Sequence, residues 1–77
     1  SNDARVDTVM EWLRLPAERR PHLVTLYFGD VDGAGHRFGP DAPEVGAAML
    51  RVDQALGRLL DGIASLPFAE NVIVVLV

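Results

Sequence analysis

Seventy-seven residues hold one domain at most, and a chain this short buries a small share of its surface, so any core is marginal. Seven basic residues against eleven acidic ones leave a net charge of −4, which argues against a nucleic-acid duplex or an anionic membrane as partner. The absence of cysteine excludes disulfides, thiolate metal sites and cysteine nucleophiles, and no apolar run reaches the about 18–20 residues of a membrane span.

Asp3 to Leu15 is predicted helical. Val6, Val9, Met10 and Leu13 recur at i, i+3, i+4 and i+7, an apolar stripe at helical spacing. Asn2 or Asp3 can cap its start, and Pro16 stops it. Trp12 lies beside the stripe and is expected to pack rather than to stack a ligand. Ala17 to His22 is a polar connector; Arg19-Arg20 is expected at a solvated surface, and His22 is structural.

Leu23 to Phe28 is predicted as a strand. It is apolar almost throughout, the pattern of a strand covered on both faces in a parallel sheet. Gly29 to Pro40 follows as a glycine-rich loop. Asp41, Pro43 and Glu44 form a helix start of capping-box type. The helix runs from about Ala42 to Ala64, with Val45, Ala48, Met49, Val52, Leu56, Leu59, Leu60 and Ile63 as its stripe. Met49 is expected as core filler. Gly46 and Gly57 each cost about 1 kcal/mol against alanine, so tertiary packing must hold this helix.

Val72 to Val77 is six consecutive apolar residues, predicted as a central parallel strand. Strand, loop, helix and strand then make one right-handed crossover unit of an α/β fold, with the first helix as a second layer. Hydrophobic residues make up 49% of the chain, more than so small a body hides easily. This points to a piece of a larger protein, or to an assembly that pairs through exposed strands.

The chemistry is expected in the loop. Asp32 and His36 are a carboxylate and an imidazole with two glycines among the three residues between them. Such a pair suits zinc, at bond lengths of about 2.0–2.2 Å, but a catalytic zinc needs a third protein ligand and an open position. On spacing alone, Asp32 can equally make a turn and His36 can be an exposed loop residue. Asp30 is a further carboxylate, equally suited to capping loop amides. The glycines match neither phosphate-binding pattern: no lysine-hydroxyl pair follows, and Gly33, Gly35 and Gly39 miss the dinucleotide spacing. Neither Thr25 nor Ser65 looks presented as a nucleophile.

Taken together, Arg20-Pro21-His22-Leu23-Val24-Thr25-Leu26-Tyr27-Phe28, then Asp30-Val31-Asp32-Gly33-Ala34-Gly35-His36, then Phe38-Gly39-Pro40, resembles the type I phosphodiesterase/nucleotide pyrophosphatase family of the alkaline phosphatase superfamily. Glu11-Trp12-Leu13 and the run from Val72 to Leu76 fit in order and spacing, so the likeness covers nearly all of residues 1–77. The resemblance implies an internal fragment of an α/β sandwich catalytic domain that hydrolyses phosphodiester or pyrophosphate bonds with two zinc ions and a threonine nucleophile. Asp32 and His36 match the aspartate and histidine that bind one zinc, the ion that activates water. Gly33 departs from the serine that the family pattern often carries.

The nucleophile and the other zinc ligands are not in this chain, so the fragment alone is expected to be inactive and to bind zinc weakly. The resemblance also implies a nucleotide-like or lipid-like diester substrate and work outside the cytoplasm. Two alternatives stand beside it. One is a non-catalytic, self-associating α/β module. The other is a different hydrolase of the superfamily, of phosphomonoesterase or mutase type.

Overall fold

The computed structural model describes residues 1–77. It holds three α-helices, α1 (Asn2–Leu13), α2 (Asp30–Phe38) and α3 (Pro43–Ala64), and one short 3-10 turn at Ala69–Asn71. There is no strand.

The first and third helices form where the apolar stripes predict them. Val6, Val9, Met10 and Leu13, the whole stripe of α1, are buried. They pack against Ala55 and Leu59 of α3 and against Leu66 just beyond it. Val6 is only 1% exposed, and a side chain so buried contributes about 1.5–3 kcal/mol relative to exposure. Gly62 brings α3 close: a Cβ there would lie 2.9 Å from Met10 Sδ. The Ser1 hydroxyl accepts the Ala4 amide at 3.2 Å and caps α1, in place of Asn2 or Asp3. Trp12 is 45% exposed, half-covered packing as expected.

Several helix details differ from expectation. Ala42, not Asp41, occupies the cap of α3, and no capping box forms. Pro43 sits in the first turn, where its missing N–H costs nothing. Met49 is 58% exposed and fills no core; Ala55, outside the predicted stripe, is buried in its stead. Arg20 is not simply solvated, because its guanidinium stacks 3.7 Å from the Phe68 ring centroid and its Nε donates to the Leu15 carbonyl at 3.2 Å.

The α/β prediction fails. Leu23–Phe28 and Val72–Val77 are not strands, and no parallel crossover unit exists. A strand is defined by a ladder, and a ladder needs a partner. Residues 23–28 make no backbone-to-backbone hydrogen bond, nor do residues 73–77. Leu23–Phe28 instead runs extended over the helices. Val24, Leu26 and Phe28 turn partly into the core, while Leu23 and Tyr27 are 83% and 65% exposed. That alternation covers one face, not two. Its one tie through the backbone is the Tyr27 carbonyl, which accepts from Arg5 Nη1 at 2.5 Å. Ile73 to Val77 lies largely in solvent. With no strand there is no strand edge, so self-association by strand pairing has no support.

The predicted loop Gly29–Pro40 is likewise mostly helix. Asp30–Phe38 forms α2, which packs along α3. Only Gly39 has a positive φ, at 91°, where it ends the helix; Gly33 and Gly35 are helical. The body is elongated, 45 × 20 × 18 Å. Its radius of gyration is 14.5 Å, against about 11.5 Å for a compact chain of this length.

Candidate functional site

The sequence of α2 carries its charges in helix order. Asp30 and Asp32 occupy the first turn, and His36 and Arg37 the last. Acids at the positive end of the helix dipole and bases at the negative end favour the helix. Gly39-Pro40 then stops it. These signals were present in the chain, and the two interior glycines masked them.

The helix brings Asp32 and His36 together. Four residues apart on one face, they meet with His36 Nε2 3.2 Å from Asp32 Oδ1. Both side chains are open to solvent, at 66% and 81% exposure. They border a shallow depression of about 390 Å³, lined also by Val31, Gly35, Pro40 and Val45. The separation is that of an ordinary i, i+4 ion pair, and two ligands of one metal ion would stand at a similar distance. Two ligands with bonds of about 2.0–2.1 Å on a tetrahedral ion lie about 3.3 Å apart. One carboxylate oxygen and one imidazole nitrogen are also the donor types that zinc takes. No set of three or more His, Asp or Glu side chains converges in this chain, so the pair by itself does not make a metal site.

Asp30 does not join them. Its Oδ2 accepts from Arg51 Nε of α3 at 2.9 Å, and its side chain is three-quarters covered. The Arg51 hydrogen bond holds the Asp30 carboxyl below its ordinary pKa; partial desolvation opposes this and the Asn2 side chain adds to it. The pair borders a second groove, about 450 Å³, between α2 and α3, lined also by Arg37 and Glu44. Nothing in sequence spacing marks Arg51, since it and Asp30 lie 21 residues apart on different elements.

No side chain is set up as a nucleophile. Thr25 is exposed on the extended segment, and Ser65 Oγ donates to the Gly62 carbonyl at 2.6 Å. Thr8 Oγ1 donates to the Ala4 carbonyl at 3.0 Å within its own helix. His22 is exposed and has no ion-pair partner within 4.0 Å.

A family model described as type I phosphodiesterase / nucleotide pyrophosphatase matches residues 1–77, the entire chain. The chain belongs to this family. The segment is 44% identical over 64 residues to ectonucleotide pyrophosphatase/phosphodiesterase family member 1 of Homo sapiens, covering 83% of this chain and 7% of that protein. It is 44% identical over 61 residues to the venom phosphodiesterase of Macrovipera lebetinus, covering 79% of this chain and 7% of that one. An uncharacterised pyrophosphatase/phosphodiesterase of Schizosaccharomyces pombe is 44% identical over 57 residues, 74% of this chain and 12% of its own length. This phosphodiesterase-family chain therefore spans less than an eighth of each of these relatives. No solved structure matches it.

Proposed function

We propose that the chain is part of the catalytic domain of a metal-dependent hydrolase of phosphodiester or pyrophosphate bonds. Asp32 and His36 are two ligands of one zinc ion in it, and the complete enzyme holds two. The observation that carries this is the 3.2 Å approach of His36 Nε2 to Asp32 Oδ1 on an open face, within a chain of this family.

The chemistry divides between residues and metal. Asp32 supplies an anionic oxygen, which needs the carboxylate form, and His36 supplies a nitrogen, which needs the neutral ring. A zinc ion held there would lower the pKa of bound water and stabilise negative charge on phosphoryl oxygens. The remaining ligands and the nucleophile come from outside these residues, so the segment alone is inactive. The substrate is a small phosphodiester or pyrophosphate, in line with the names of the relatives. The words "ectonucleotide" and "venom" in those names support a place of action outside the cytoplasm.

Turnover of a nitrophenyl phosphodiester by a longer protein containing this segment tests the proposal. Asp32→Ala and His36→Ala are each expected to abolish it. Unchanged turnover in both variants contradicts the metal assignment. Faster turnover of a nitrophenyl monoester than of the diester would contradict the diester assignment.

A further inference from the structure

We infer that the Asp30–Arg51 ion pair positions the Asp32/His36 pair, with Arg51 of α3 as the residue that holds α2 in register for metal. The inference rests on the metal assignment proposed above. Its starting point is the weakness of α2 as a helix. Nine residues are too few to be helical alone in water, where about 12–15 are needed even for favourable sequences. Gly33 and Gly35 each cost a further roughly 1 kcal/mol against alanine. No side chain caps its first turn. The helix therefore exists because it is docked.

It packs along α3, and two of its side chains anchor it there. Ala34 is its one buried side chain. Asp30, in the first turn, is its one charged side chain tied to another element, through Arg51 Nε at 2.9 Å. Asp32 follows Asp30 by two residues and His36 by six, so the bond at Asp30 fixes the end of the helix from which the ligand face is set. The 3.2 Å approach of Asp32 to His36 belongs to the helical i, i+4 geometry. When α2 melts, the two side chains part, and metal must then pay the ordering cost of the segment as well as its own binding. Arg51 thus acts on the metal through Asp30 and α2 without touching it.

Charge alone predicts the opposite. Arg51 is a cation on the helix against which the ligand helix packs, and its removal would favour a divalent cation. The sign of the Arg51→Gln effect therefore separates positioning from electrostatics.

The test is a zinc titration of the 77-residue chain, read from the His36 ring resonances, with helix content followed by circular dichroism. Arg51→Gln is expected to weaken zinc binding about tenfold, the lower end of the range for residues that support metal ligands. Asp30→Asn weakens it as well, and the double variant binds no more weakly than the weaker single one, because both break one contact. Arg51→Lys, which keeps a cation and a donor, recovers most of the loss. Zinc binding by Arg51→Gln that is as tight as wild type or tighter, while Asp32→Ala weakens it, overturns the positioning role and leaves the metal assignment standing. An Asp32→Ala chain that binds zinc like wild type overturns both. Should Arg51→Gln lose helix content throughout, Asp30→Asn and Arg51→Lys decide the matter by the same criterion.

Discussion

Arg58 of α3 donates from Nη2 to Asp7 Oδ1 of α1 at 2.8 Å, and its Nη1 donates to Asp3 Oδ1 at 2.7 Å. One guanidinium therefore bridges the seam that Val6, Met10 and Leu59 fill below it. Asp3 and Asp7 stand four residues apart on one helix, where like charges repel. Arg58→Ala removes the bridge and leaves that repulsion. All three side chains are well exposed, so the effect is modest and screened by salt. Melting of Arg58→Ala is expected below wild type at about 0.01 M salt and level with it near 1 M, where the screening length falls to about 3 Å. A deficit unchanged by salt contradicts this account of the seam.

Glycines of α3 separate by what lies over them. Nothing stands within 4 Å of a Cβ added at Gly57, whereas one added at Gly62 meets Met10 Sδ at 2.9 Å. Gly57→Ala is expected to stabilise by about 1 kcal/mol, the helix propensity gain, raising Tm by about 4–8 °C. Gly62→Ala gains the same propensity and loses it in displacing buried Met10, so its Tm stays at or below wild type. Equal stabilisation by both would contradict the close packing of α1 on α3.

The lowered pKa of Asp30 gives a pH dependence with a definite sign. A carboxyl whose folded pKa is depressed stabilises the fold above its unfolded pKa. That contribution is lost as pH falls from the ordinary carboxylate range through the lower folded value. The stability difference between wild type and Asp30→Asn is expected to be constant near neutral pH and to close below about pH 4. Denaturant melts at stepped pH measure it. A difference that instead closes on raising the pH contradicts the assignment.

The two long helices were legible because their apolar spacing is a local property: Val6, Val9, Met10 and Leu13 bury as read. The strands were not, because a strand is a relation between segments. Leu23–Phe28 and Val72–Val77 have the composition of buried strands, yet composition supplies no ladder partner. The helix α2 was hidden by Gly33 and Gly35, which read as loop, although its acids and bases are in helix order. Asp32 and His36 were singled out by the resemblance, and the helix, which the sequence did not reveal, is what sets them 3.2 Å apart. Arg51 was not legible, because only the docking of α2 on α3 sets it against Asp30.

The most direct measurement is a zinc titration of the chain followed at its two histidines by nuclear magnetic resonance. His36 sits 3.2 Å from Asp32, while His22 has no carboxylate within 4.0 Å and serves as the internal control. A lone carboxylate and imidazole on a marginal helix would hold zinc weakly, so affinity poorer than micromolar is expected. The account predicts that the His36 ring signals move with zinc, that those of His22 do not, and that Asp32→Ala removes the His36 response. Equal movement of both histidines, or a His36 response that survives Asp32→Ala, contradicts it.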